Sequence, residues 1–373
     1  EFLNQQGTGR APANANNAAL VAIDPHSGQI LTMLGSPDYF DAEIDGAVNA
    51  ALALRQPGSA LKPFTYAAAF DPAQSAPWTA ATMLLDVETP FVTRRLESYT
   101  PANFALVEHG TVLARAALAS SLNIPAVVTL DHVGIATLIE LLNQAGVSTL
   151  ADNPNLDLAV TLGGGEVRLL DLTAAYGIFA NQGWRVDPSY LLRVETQAGD
   201  LLYEWQPPAQ ITRVIDPRVA YLITDILSDD EARILGFGQN SMLNIGRPAA
   251  AKTGTTTNFR DNWIVGYTPN LLTGVWVGNA DNQPMVDVTG VSGAAPIWNA
   301  FLREVLLGQP ELPFREPDGM VRLQPANASM EPIRIPAGSV DVQGKSAEDA
   351  RSEGWREAQR KAWERLRGPK LSD

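Results

Sequence analysis

The chain has 373 residues, no cysteine, and 27 lysines and arginines against 41 aspartates and glutamates, for a formal net charge of −14 at pH 7. That balance disfavours nucleic acid and anionic membrane surfaces as partners, and the missing thiols exclude disulfides, thiolate catalysis and Cys-based metal sites. The three histidines, His26, His109 and His132, are scattered without HExxH-type spacing, and no run of about 18 apolar residues is present to span a bilayer. Neither a metal nor a cofactor is expected.

In chain order, residues 1–17 are polar, aperiodic and rich in Gly, Asn and Ala, as a linker would be. Two apolar runs, 18–23 and 29–34, flank the turn cluster Asp24-Pro25-His26-Ser27-Gly28 and predict a β-hairpin with His26 facing solvent. Next comes Arg55-Gln56-Pro57-Gly58-Ser59-Ala60-Leu61-Lys62-Pro63-Phe64. A serine after a Pro-Gly turn precedes an apolar run through Phe70, and Pro63 is tolerable only in a first turn, so a helix should begin close to Ser59. Residues at i and i+3 lie roughly 5–6 Å apart at Cβ, which puts the Lys62 amine in reach of the Ser59 hydroxyl. A serine needs a neighbouring group to take its proton, and lysine does so only when burial or nearby positive charge makes it neutral.

Helical periodicity marks residues 112–120, 135–145, 169–181 and 217–227, whose apolar residues are assigned to the core. Between the first two lies Ser121-Leu122-Asn123, an S-x-N tripeptide whose ordinary meaning is a helix end or an Asx-type turn. Gly163-Gly164-Gly165 lacks the G-K-[ST] ending of a phosphate loop and reads as the entry to a helix near Arg168.

Lys252-Thr253-Gly254-Thr255-Thr256-Thr257 precedes Trp263, Val265 and Tyr267 at period two, a turn at Thr268-Pro269-Asn270 and a strand through Val275 and Val277. The threonines suit an edge strand, Gly254 would let a ligand's backbone approach, and an extended substrate can add itself to such an edge. The alternative is a polar hairpin end. Phe104, Trp263 and Tyr267 can flank a substrate, with buried packing the default for each. Past residue 308 prolines multiply; residues 309–345 read as a small β appendage or none, and 346–367, with Trp355, Ala358 and Trp363, as a charged terminal helix.

Lysine usage singles out two of these stretches. The chain has five lysines, Lys62, Lys252, Lys345, Lys361 and Lys370, and only two of them fall in the first 344 residues. Arginine serves the surface, whereas a base must be able to lose its proton, which arginine cannot do in a protein.

The ordered set Ser59/Lys62, Ser121/Asn123, Lys252/Thr253/Gly254 resembles the S-x-x-K, S-x-N, K-T-G signature of the penicillin-recognising acyl-serine transferases. The segments 99–104, 116–127, 162–172 and 261–269 are similar to the transpeptidase domain of class A penicillin-binding proteins, and 290–298 is similar to the 1C type in particular. The resemblance covers roughly residues 18–308. It implies an α/β (α+β) fold, with an antiparallel sheet flanked by helices and a mainly helical subdomain. The domains expected are a linker (1–17), a transpeptidase domain (18–308; sheet from 18–50 and 245–308, helical part 59–235) and a C-terminal extension (309–373). The chain is expected to be the extracytoplasmic C-terminal portion of a longer protein that carries a membrane anchor and a glycosyltransferase domain before it.

The activity implied is peptidoglycan DD-transpeptidation, with stem peptides as donor and acceptor and β-lactams as inhibitors. Ser59 is the implied nucleophile and Lys62 its base. Ser121 relays the proton, Lys252 helps keep Lys62 neutral, and the N–H groups of Ser59 and Thr255 form an oxyanion hole. Asn123 would hold the donor's amide, Thr253 and Thr255 its terminal carboxylate, beside Gly254. The rival activities are a DD-carboxypeptidase, a β-lactamase and a non-catalytic peptidoglycan-binding or β-lactam-sensing domain. A β-lactamase would need a deacylating glutamate, and Glu140 reads instead as part of a solvated helix face.

Overall fold

The computed structural model describes residues 13–93, 97–207 and 211–320. The expectations for residues 1–12 and for 321–373, including the terminal helix and most of the β appendage, lie outside those residues.

The hairpin read at the start of the chain is β1 (Asn17–Ile23) and β2 (Ile30–Leu34), paired antiparallel. A helical region follows, opening with α1 (Lys62–Phe70). Then come β3 (Met83–Asp86), β4 (Phe91–Val92), β5 (Ser98–Tyr99), β6 (Gly110–Leu113), α2 (Ala114–Ala119), α3 (Asn123–Val133) and α4 (Ile135–Ala145). After them run α5 (Leu169–Ala175), α6 (Gly177–Ala180), β7 (Trp184–Arg185), β8 (Arg193–Glu195), β9 (Leu201–Glu204), β10 (Thr212–Arg213), α7 (Pro217–Leu227) and α8 (Ile234–Phe237). The chain returns to the sheet through β11 (Ala250–Thr255), β12 (Asp261–Thr268) and β13 (Leu271–Gly278), and α9 (Ala294–Val305) packs behind it.

Five strands form one antiparallel sheet in the order β11-β12-β13-β1-β2, so the first strands of the chain join the last. Both faces are covered along β11, β12, β13 and β1, whereas the edge strand β2 is exposed from Leu31 to Leu34. Val21, Trp263, Val265 and Trp276 pack with α1, α5, α6 and α7, while Leu20, Ile264, Val275 and Val277 pack against Trp298 and Leu302 of α9. The period-two pattern therefore names which cluster a residue joins, and not which side is wet. Every residue of α1 is buried, so this short helix is the centre of the helical layer; Phe64 alone is worth about 1.5–3 kcal/mol in removal from water.

Helices at 135–145 and 217–227 match the periodicity, and the 169–181 pattern is two short helices meeting at Tyr176. The pattern at 112–120 is corrected at its start. Val112 and Leu113 belong to β6, paired with Leu84 and Met83, because a β-branched residue beside an available strand gains more from the ladder than from one extra helical turn. Asn123 opens α3, a helix the sequence reading did not anticipate, and the four two-stranded sheets β3–β6, β4–β5, β7–β10 and β8–β9 are likewise additions. His26 and Glu140 are exposed, as expected. Trp263 and Tyr267 are fully buried, whereas Phe104 is 66% exposed, against the packing default. Among the described residues no single helix is long and apolar enough to cross a membrane.

Candidate active site

Residues Gly58–Leu61 form one 3-10 turn that runs into α1, so Ser59 stands just ahead of the α-helix and Lys62 is its first residue. Pro63 sits in the first turn, where its missing N–H costs nothing. Three contacts hold the turn. Tyr176 Oη donates to Ala60 O at 2.6 Å, Arg55 and Val167 exchange backbone hydrogen bonds of 3.0 and 2.9 Å, and Gly163 lies so close that a Cβ there would meet Gly58 N at 2.2 Å. The Gly163-Gly164-Gly165 stretch thus supplies a backbone contact to the turn that carries Ser59. Ser59 itself is half-buried.

Lys62 is fully buried, and its Nζ lies 2.6 Å from Ser121 O, 3.1 Å from Leu122 O, 2.7 Å from Asn123 Oδ1 and 3.4 Å from Ser121 Oγ. No hydrogen bond joins Nζ to the Ser59 hydroxyl, the partner expected from helical spacing; Lys62 meets Ser59 only through its backbone N–H, which donates to Ser59 O. The carbonyls of the S-x-N turn capture the amine instead. Burial first, and the Lys252 ammonium second, push the Lys62 amine well below its ordinary range, while the Asp86 carboxylate pulls it back up.

Ser121 has φ +60°, a left-handed backbone that costs a non-glycine residue about 1–2 kcal/mol. The neighbouring chain over-determines that turn. Ser121 N donates to Leu118 O at 3.1 Å, Ser120 Oγ donates to Ala232 O at 3.0 Å, and Gly236 lies against Ser120 O with no room for a Cβ. From the sheet side Lys252, 1% exposed, places its Nζ 2.7 Å from Ser121 Oγ and 2.9 Å from Thr253 O. Burial, then the buried Arg233 guanidinium, push the Lys252 amine down to about 7.

Strand β11 is an edge of the sheet, as its threonines suggest. Thr256 N donates to Asp261 O on the next strand, so by antiparallel alternation Lys252 and Gly254 face β12 while Thr253 and Thr255 turn their main-chain groups to the free edge. The Ser59 turn abuts that edge: a Cβ on Gly58 would meet Thr255 N and O at 2.7 Å. Gly254 does serve a close approach, but the backbone that comes close is the chain's own, since a Cβ there would strike Pro57 O at 2.1 Å. Thr255 Oγ1 accepts from Gly290 N at 2.9 Å, and Thr253 is 5% exposed.

The structure thus gathers Ser59, Lys62, Ser121, Asn123, Lys252, Thr253, Gly254 and Thr255 where the turn that carries Ser59, the S-x-N turn and the edge strand meet. Sequence reasoning missed the groups behind them. Asp86, fully buried, accepts from Asn103 Nδ2 at 2.7 and 2.8 Å and from His109, and Asn103 Oδ1 accepts from Asn123 N at 2.8 Å. An aspartate inside the apolar run Met83-Leu84-Leu85-Asp86-Val87 is the available signal, because a carboxylate is buried only when partners wait for it. Arg233 carries no comparable mark. Beside the S-x-N turn, the Phe104 ring stands edge-on to Phe259, centroids 6.2 Å apart, linking the loop that holds Asn103 to the turn after β11. Among the described residues no three His, Asp or Glu side chains gather as a metal would require.

Residues 18–303 match the family model of the penicillin-binding protein transpeptidase domain. Penicillin-binding protein 2D of Bacillus subtilis is 32% identical over 307 residues, covering 80% of this chain and 42% of its own length. Penicillin-binding protein 1C of Escherichia coli is 32% identical over 316 residues, covering 84% of this chain and 37% of its own. The chain therefore spans about two fifths of the length of these curated relatives. The crystal structure of penicillin-binding protein 1A from Haemophilus influenzae superposes with a TM-score of 0.71 at 26% identity, covering 83% of this chain and 50% of that one. The PonA1 protein of Mycobacterium tuberculosis, in complex with penicillin V, shares the fold with a TM-score of 0.68 at 24% identity, covering 83% of this chain and 82% of that one.

Proposed function

The chain belongs to the penicillin-binding protein transpeptidase family, and from that premise we propose that it is a peptidoglycan DD-transpeptidase working through an acyl-enzyme on Ser59. The observation that carries the reading is the bridging position of Ser121 Oγ, 2.7 Å from Lys252 Nζ and 3.4 Å from Lys62 Nζ, beside the turn that bears Ser59. Two buried amines sharing one hydroxyl are a proton path, and both are pushed toward the neutral form that a base requires.

In this mechanism Ser59 Oγ attacks the carbonyl carbon between the two terminal D-alanines of a stem peptide and gives its proton to neutral Lys62. The N–H groups of Ser59 and of Thr255, which lies against the neighbouring Gly58, receive the developing oxyanion, each worth about 3–4 kcal/mol in the transition state. Ser121 passes a proton to the departing nitrogen, the C–N bond breaks, and D-alanine leaves. An amine of a second stem peptide then attacks the ester carbonyl, the proton it loses returns along the same path to Ser59 Oγ, and a cross-link remains. Asn123 Nδ2 gives one N–H to Ala102 O and keeps a second for the donor's amide carbonyl.

The donor's direction follows from the strand. With its carboxylate at the Lys252–Thr253 end, a donor that adds antiparallel to β11 sends its preceding residues toward Thr256 and Phe259, past Phe104. The mature protein, on this reading, acts on the outer side of the cytoplasmic membrane, held there by an anchor and joined to a glycosyltransferase domain as in class A penicillin-binding proteins, and is acylated by β-lactams. Product analysis with a stem pentapeptide tests the reaction. With an acceptor amine present the cross-linked product should appear together with free D-alanine. Release of the tetrapeptide alone, whatever the acceptor concentration, would mean a carboxypeptidase instead.

A further inference from the structure

Asp86 is a carboxylate with 0% exposure that lies outside the three motifs. Its surroundings are fully specified. Both of its oxygens accept from the single nitrogen Asn103 Nδ2, at 2.7 and 2.8 Å, and Oδ2 also accepts from His109 N at 3.0 Å and His109 Nδ1 at 2.6 Å. A carboxylate in this state only accepts, so it dictates which way the Asn103 amide is turned. Nδ2 faces Asp86, with its other hydrogen on Val107 O at 2.9 Å, and Oδ1 must face the opposite way.

What Oδ1 meets there is the start of α3. It accepts from Asn123 N at 2.8 Å and lies 3.4 Å from Ile124 N, two of the donors that a helix start leaves without intrahelical partners. Leu122, at the N-cap position, offers no side-chain acceptor, so α3 is capped from another segment of the chain. Asn123 is then fixed at every polar atom it presents to the protein: N by Asn103, Nδ2 by Ala102 O, and Oδ1 by Lys62 Nζ.

We propose that Asp86 is a positioning residue for acyl transfer: by orienting Asn103 it sets the place of Asn123 and, through Asn123, that of the Lys62 amine. The inference rests on the roles given above to Ser59, Lys62 and Asn123. The carboxylate has a second effect on the same amine. Its negative charge favours the protonated form of Lys62, opposing Lys252 across the cleft, while His109 faces Asp86 and Arg233 faces Lys252. Removing the charge without moving anything would therefore make Lys62 easier to deprotonate, and a purely architectural residue would leave no such trace.

Asp86→Asn is the direct test. Because one Asn103 nitrogen touches both oxygens, either orientation of the new amide sets an NH2 group against it. Asn103 escapes only by flipping, which then sets its own NH2 group against Asn123 N–H. The second-order rate of Ser59 acylation by benzylpenicillin, read by intact mass, should fall about 100-fold, as misplacement of a reacting group by an ångström does. At the same time the acid limb of its pH profile should move to lower pH. The exchanged pair Asp86→Asn with Asn103→Asp restores an acceptor for Asn123 N and a donor from position 86 to position 103, losing only the bond to Val107 O, and should recover part of the rate. An Asp86→Asn variant that acylates at the parent rate with an unmoved acid limb overturns the proposal. So does an exchanged pair that regains the parent's thermal midpoint without regaining rate. Should neither variant fold, Asn103→Ala replaces them, since it removes the link and introduces no mismatched donor; slowed acylation supports the proposal and a parent rate overturns it. A parent protein that forms no adduct on Ser59 overturns the reading beneath as well, and so is told apart from a failure of Asp86 alone.

Discussion

Lys252 Nζ lies 2.7 Å from the hydroxyl of Ser121, the same hydroxyl that Lys62 Nζ approaches at 3.4 Å. A hydroxyl has one proton to give and two lone pairs to receive with, so it can serve one amine as donor while it serves the other as acceptor. The strained backbone of Ser121 is what brings its side chain to that meeting point.

Removing the bridge should stop the relay while leaving the cleft intact. Ser121→Ala is expected to slow penicillin acylation by about 10²–10⁴, the usual worth of a positioned proton-transfer group. Ser121→Gly, which accepts φ +60° without strain, should lose as much rate and less stability. Stopped-flow acylation and thermal melts separate the two effects; a glycine variant that acylates normally would remove Ser121 from the mechanism.

Burial of Lys252 makes stability rise with pH. The unfolded chain keeps this lysine protonated up to about 10.5, whereas the folded chain releases its proton near 7, so between those values the unfolded state holds more protons and raising the pH favours the fold. From about pH 7.5 to pH 9 the parent should gain roughly 2 kcal/mol of unfolding free energy relative to Lys252→Met, at about 1.36 kcal/mol for each pH unit. Urea titrations across that window measure it. The window ends below the ordinary tyrosine range, where unfolded Tyr66 and Tyr267 would begin to ionise and reverse the trend. Parallel curves for parent and variant would mean that Lys252 stays charged in the fold.

Gly254 and Gly58 bring the turn that carries Ser59 against the edge strand. A methyl group at 254 meets Pro57 O at 2.1 Å, so Gly254→Ala must separate β11 from the turn and with it the N–H of Thr255 from that of Ser59. The expected cost is about 1–3 kcal/mol in stability, with acylation falling further than that loss explains. An alanine variant with unaltered acylation would place the oxyanion donors elsewhere.

Phe104 is 66% exposed, so Phe104→Ala should change the thermal midpoint little. If the donor runs along β11 toward Phe259, the variant should turn over stem peptides less efficiently while acylation by a small penicillin, which does not extend that far, is nearly kept. Comparing the two rates decides; equal losses would contradict the direction assigned to the donor.

Much of this was legible in the residues themselves. Two lysines in the first 344 positions, each in a stretch with small and hydroxylic neighbours, marked two stretches that the fold brings together at Ser121, and the alternation at Trp263, Val265 and Tyr267 marked β12. What the chain order could not express was contact between distant backbones. Helical spacing joins Lys62 to Ser59, yet the amine turns to the carbonyls of Ser121 and Leu122, 59 and 60 positions away. A glycine's open side reads the same whether a substrate or Pro57 fills it. Asp86 and Asn103 act by hydrogen bonds that no periodicity encodes, and α3 is capped by a residue 20 positions upstream, so its start carries no local signal.

Activation of Ser59 on the proposed path requires that the Lys62 amine shed its proton first. Intact-mass analysis with peptide mapping after incubation with benzylpenicillin tests it most directly, run on the parent, Ser59→Ala and Lys62→Arg. An adduct should form on Ser59 in the parent and in neither variant, because Ser59→Ala lacks the hydroxyl and the arginine of Lys62→Arg keeps the charge and cannot give up its proton. An adduct forming at the parent rate in Lys62→Arg, or on any residue other than Ser59, would contradict the proposed path.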